Sequence, residues 1–241
     1  MLHTTRGIVL HQTRYSESSL ILRIYTESLG LQSFIVKGVH SKRSKAKAAF
    51  FQPLTILNLV IDRKEGKSLH YIREISIEYP YRSLHTDMNR RSVLLFLADL
   101  LHRSIREENP DLEMFNWLYH ALTWYDLSDG EQINFHLLFM MQLSRFLGFY
   151  PRLQPGIVAE YFDLREGIFT QLRPEHADYL RGEMSTVLAR LQQTTFDGAG
   201  ELQVSNKLRR MALDALLIYY RLHLPGFGEL KSVAILKTVL E

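Results

Sequence analysis

The sequence predicts an α+β chain, a small closed β-barrel followed by a helical body that one irregular segment interrupts. Three observations carry this. Apolar residues recur at every second position through residues 1–80, they recur at every third or fourth from Thr86 onward, and Pro80 separates the two regimes. The expected division is therefore residues 1–80 and 81–241.

In the first part, Ile8 and Leu10 alternate with Val9 and His11, and Leu20, Leu22 and Ile24 alternate with Ile21, Arg23 and Tyr25. "LQSFIVKG", "LTILNLVID" and "LHYIREISI" continue in β-branched and aromatic residues, with turn-like breaks at "ESLG" and "RKEGK". Five short strands in so few residues suit an OB-type barrel. Beyond Pro80, Val93, Phe96, Leu97, Leu100, Leu101 and Ile105 take helical spacing. Pro110 with the acids of "PDLEMF" opens a second helix, and "EQINFHLLFMMQLSRFLGF" is apolar enough to be a buried third. Residues 150–173, with Pro151, Pro155, Gly156 and Gly167, form the irregular segment, where "AEYFDLREGIFTQL" predicts a small hairpin. Helices resume at "PEHADYLRGEMSTVLARL", "NKLRRMALDALLIYYRLHL" and "ELKSVAILKTVL".

Composition narrows the functions. There is no cysteine, which excludes disulfides, Cys-ligated zinc, iron–sulfur clusters and thiol catalysis, and fits a cytoplasmic protein. Apolar runs such as Val93–Ala98 are far too short for a membrane span, and the first residues enter a strand without the pattern of a signal peptide. Residues 1–80 hold 12 Lys/Arg against 6 Asp/Glu, whereas residues 81–241 hold 17 against 20. A basic first third points to a polyanion, and Lys37–Lys47 concentrates five Lys/Arg with no acid.

No catalytic constellation appears. "EGKS" at 65–68 resembles the end of a phosphate loop, but the first glycine of that motif would fall on Ile61. The histidines have no metal-ligand spacing, no GxSxG is present, and "DLSDGE" at 126–131 lacks the alternating oxygen ligands of a calcium loop. Neither an enzyme nor a cofactor is expected. Lys37, Lys42, Arg43, Lys45 and Lys47, on a slim loop between strands, can follow a phosphate backbone, and Arg6, Arg14 and Arg23 extend the groove. Tyr15 and Tyr25 are either stacking rings or barrel packing. The alternative partner for the basic loop is an acidic protein segment. In the helical body, His136, Arg145, Arg209 and Arg210 could rim an apolar pocket for an acidic tail, or Phe139 and Leu143 are simply core.

"RGIVLHQTRYSESSLILRIYTESLGLQSFIVKGVHSKRS" (6–44), "QPL" (52–54) and "LHLPGFGELKSVAIL" (222–236) resemble the bacterial recombination mediator family RecO. The resemblance covers essentially the whole chain. It implies an OB-fold barrel, a non-enzymatic role in DNA repair and recombination in the nucleoid, and binding of single- and double-stranded DNA with annealing of complementary strands. It also implies work with RecR to load RecA on DNA coated by single-strand-binding protein, whose C-terminal tail would be the acidic segment. One departure stands out. Many relatives carry four zinc-binding cysteines after "LGF.P"; here Leu147–Pro151 leads into cysteine-free sequence, so Tyr161–Phe169 is expected to fold without metal.

Overall fold

The computed structural model describes residues 2–17, 19–37, 48–63, 66, 68–130 and 132–239. Two compact units divide the chain: Met1–Leu127 with Leu230–Leu236, and Ser128–Glu229 with Lys237–Glu241.

The first unit is built on five strands, β1 (Leu2–Ser16), β2 (Ser19–Thr26), β3 (Gly30–Lys37), β4 (Ile56–Asp62) and β5 (Leu69–Tyr79). They close in the order β1-β2-β3-β5-β4, with β3 and β5 parallel and the other recorded pairs antiparallel. This is the OB-type barrel the alternation predicts. Val9, Leu22, Ile24, Phe34, Leu57, Leu59 and Ile61 fill it, and Phe51, from a 3-10 turn at Ala48–Phe51, joins the same core. The interior set on β2 and β3 is every second residue, as a pleated strand requires.

Two helices follow, α1 (Met88–Ser104) and α2 (Leu112–Leu127). Asp87 caps α1 by accepting from the Arg90 N–H, and Asp111 does the same for Met114 at the start of α2. Pro110 therefore stands just before the cap rather than inside the first turn. Both helices belong with the barrel. Tyr25 donates to the Asp111 carbonyl and its ring meets Phe115, while the buried Asp126 carboxylate accepts from the backbone N–H groups of Arg82, Ser83 and Leu84. The first compact unit thus runs well past the strand-to-helix change at residue 80, because apolar and polar contacts tie α1 and α2 to the strands.

The second unit packs α3 (Phe135–Phe146), α4 (Glu183–Gln193) and α5 (Asn206–His223) against one another, with α6 (Val233–Val239) shared between the units at its two ends. α3 is buried almost all round, as its composition predicts. The irregular segment supplies two strands of a three-stranded sheet, β6 (Tyr161–Asp163) and β7 (Ile168–Thr170), and the residues after it supply the third, β8 (Tyr179–Arg181), in the order β7-β6-β8. The predicted hairpin is β6–β7. β8 corrects the reading of "PEHADYLRGEMSTVLARL" as one helix: α4 begins only after Gly182, whose backbone φ is +58°. The sheet is held by Phe162 stacked on Phe169, by Asp163 accepting from the N–H groups of Arg165 and Glu166 and meeting His176, and by the Arg165–Asp178 ion pair. Gly167 turns the hairpin at φ +63°, and a Cβ there would stand 2.5 Å from the Tyr219 hydroxyl oxygen.

Candidate nucleic-acid interface

The barrel's strand order puts β2 and β3 side by side, with β1 beyond β2 and β5 beyond β3. In OB folds the face of strands 2 and 3 takes oligonucleotides. Register decides which side chains share it. Arg23 lies opposite His11 on β1 and Ser33 on β3, and two steps beyond Ser33 in each case come Ile35 and then Lys37, on the same outward set. Tyr71 of β5 is opposite Ile35, and the Lys37 ammonium stands 5.7 Å from the centre of its ring. Arg23 and Lys37 are thus about 13 Å apart along the strands at roughly 3.3 Å per residue.

Arg14 is placed differently. It pairs with Leu20, on the alternate set, in the exposed outer half of β1, and Tyr15 beside it is 63% exposed. Tyr25 and Phe34 are buried and serve packing. Arg6 does not join the face. Its guanidinium makes two hydrogen bonds to the Glu27 carboxylate, at 2.7 and 3.0 Å, and lies over the rings of Phe115 and Tyr119. The hydrogen bond raises the Arg6 pKa and lowers that of Glu27. An arginine so engaged offers little to a phosphate. Arithmetic could have found the pair: Gly7 faces Thr26, so Arg6 must face Glu27.

Of the basic stretch, Lys37 ends β3; Lys42, Arg43, Lys45 and Lys47 lie outside the described residues. On the other flank, Arg73 is paired with Asp62 at 2.6 Å. His70, at the start of β5, is buried and held below the ordinary imidazole range by that burial and by the charge of Arg63.

The helical residues expected to meet an acidic tail separate into two groups. His136 is 1% exposed and Arg209 3% exposed, so neither faces a partner; Phe135, Phe139 and Leu143 are core. Arg209 donates to Asn134, Asn206 and the Val204 carbonyl, a network that the sequence, with 75 residues between Asn134 and Arg209, gives no local sign of. Arg145 is exposed over the Tyr150 ring, and Arg210 is half-buried. Among the described residues, no group of three or more His, Asp or Glu is placed to hold a metal ion, and no helix is long and apolar enough to cross a membrane.

Comparison with known proteins agrees with this architecture. The recombination protein O N-terminal family matches residues 1–81, and the recombination protein O C-terminal family matches residues 85–233. A DNA repair protein RecO of Bacteroides fragilis is 37% identical over 242 residues, covering 100% of both chains. Those of Phocaeicola vulgatus and Flavobacterium psychrophilum are 37% and 35% identical over 237 residues, covering 98% of each chain. With a closed barrel, a helical remainder and full-length kinship in place, the chain belongs to the RecO family of DNA repair and recombination proteins.

Proposed function

We propose that the chain is a recombination mediator that works by holding DNA rather than by turnover, gripping single and double strands on the β2–β3 face and annealing complementary strands. The observation that supports this best is the outward set of Arg23, Lys37 and Tyr71 on the face that takes oligonucleotides in OB folds, continuing in sequence into Lys42, Arg43, Lys45 and Lys47. Cations there displace condensed counterions, and an aromatic beside a lysine gives a base a surface to stack on. In this reading the protein acts in the cytoplasm at the nucleoid, with RecR, to load RecA on DNA covered by single-strand-binding protein. Arg145 and Arg210 remain the candidates for the acidic tail of that protein.

A salt-titrated binding assay with labelled single-stranded DNA tests the core of this reading. The expected result is tight binding at low salt, a steep linear fall of log affinity with log salt, and competition by single strands of any sequence. Annealing of complementary oligonucleotides should proceed without ATP. If acidic peptides compete and oligonucleotides do not, the basic segment serves a protein partner instead.

A further inference from the structure

Arg23 sits in a second set of contacts that leads away from the β2–β3 face and onto α1. His11, opposite Arg23, stacks on His102 of α1 with ring centres 4.2 Å apart and planes 8° from parallel. A register irregularity between Val9 and His11 marks a bulge in β1 at this point, a device that re-aims a side chain. Arg103 follows His102 on the last turn of α1. Around this pair the donors outnumber the acceptors. The Nε atoms of Arg23 and Arg103 and the Nδ1 of His102 are buried and have no hydrogen-bond partner. The carboxylate facing the group is Asp99, whose Oδ1 lies 3.7 Å from Arg103 Nε, beyond hydrogen-bond reach. Its Oδ2 is already taken by the Ser232 hydroxyl and N–H.

We propose that this cluster of side chains from β1, β2 and α1 binds a phosphodiester group of a nucleic-acid backbone, carrying the DNA track from Lys37 past Arg23 to His102 and Arg103. The inference rests on the DNA-binding function proposed for the barrel. Two forked guanidiniums suit a tetrahedral anion, which can accept from their N–H groups. Electrostatics agree. His102 is pushed down to about 4 by burial, by His11 and by the charges of Arg23 and Arg103, against a smaller pull from Asp99. His11 is lowered by burial, with Arg23 and Arg103 adding to it and Asp99 opposing. An anion beside the two arginines opposes these shifts and favours the protonated form of the stacked pair.

The experiment follows the His11 and His102 ring protons of the full chain by NMR through a pH titration, with and without a short oligothymidylate, alongside salt-titrated affinity. The oligonucleotide should raise the His102 pKa by about one unit or more, the size expected of an opposite charge within a few ångströms. The R23Q/R103Q double variant should lose that response, and its single-strand salt slope should fall in magnitude by about 1.4, or 0.7 for each lost contact. H102Q keeps both arginines; it should still bind at pH 7 but lose the gain in affinity that the parent shows on going to pH 5. Oligonucleotide binding that leaves His102 unmoved and the slopes unchanged overturns this site and leaves the DNA-binding function standing. No binding by the parent at any salt rejects both. A polyglutamate peptide that shifts His102 where the oligonucleotide does not makes the cluster a carboxylate site and overturns the proposal.

Discussion

Arg209 on α5 donates from Nε to the Asn134 side-chain oxygen at 3.0 Å, inside the second unit. Burial lowers its pKa, and no ion pair with a carboxylate accompanies it among the described residues. Three neutral oxygens carry a buried cation. Removing the guanidinium strands those acceptors in a dry site, so Arg209→Ala should destabilise the fold by about 3 kcal/mol in chemical denaturation. Arg209→Glu should be worse, because it sets an anion against the same oxygens. Arg145→Glu, on the surface, should leave stability within about 0.5 kcal/mol.

Acid should weaken the fold before the carboxylates titrate. His136 is pushed down to about 3 by burial, with a contribution from Arg209. A histidine kept neutral in the folded chain protonates only on unfolding. Its contribution is whole above the unfolded value of 6.5 and is lost progressively as pH falls toward 3. Stability should drop by roughly 2 kcal/mol between pH 6.5 and 5, at about 1.4 kcal/mol per unit. His136→Leu should show a flatter profile over the same range in denaturant titrations.

Gly30 should tolerate no side chain. Its φ is +66°, and a Cβ would lie 2.6 Å or less from the carbonyl oxygens of Glu108 and Asn109. Both obstacles are backbone. Gly30→Ala should cost more than about 3 kcal/mol, from left-handed strain together with overpacking, and lower the melting temperature accordingly.

Asp126 should be a second weak point. Burial pushes its carboxyl up, but the N–H groups of Arg82, Ser83 and Leu84 and the Ser83 hydroxyl hold it below the ordinary 3.8. Asp126→Asn keeps the shape and removes the charge, so it should cost roughly 2 kcal/mol at neutral pH. A depressed carboxylate stabilises above its unfolded pKa and not in strong acid. The gap between parent and variant should therefore close as pH falls below about 4.

For DNA, replacing Lys42, Arg43, Lys45 and Lys47 together with Ala should weaken binding to all sequences alike. Four lost phosphate contacts should reduce the single-strand salt slope by about 3. An unchanged slope in a folded variant would move the DNA site elsewhere.

Period-two alternation was enough to read the barrel because its interior accepts every second residue and little else. The buried α3 was legible for the opposite reason: it is apolar on nearly every side. What stayed hidden was long-range partnership. Arg6 and Arg209 read as free surface cations because charge is normally solvated, and only register or packing reveals Glu27 and Asn134. β8 was missed because a three-residue strand ahead of a helix has too few positions to show a period. His11 and His102 carry no sequence sign of their stacking, since 91 residues separate them.

The first unit has a late member. Leu230–Leu236 belongs to it, with Leu236 fully buried and Ser232 bonded to Asp99 on α1. On the ribosome, the barrel and its helices must wait until the whole second unit has been made before this segment arrives. Residues 1–127 are then an incomplete intermediate with an open seam beside α1. A nascent chain arrested at residue 229 should be markedly more sensitive to protease than the released protein, and the lesion should appear at α1, far back in the order of synthesis.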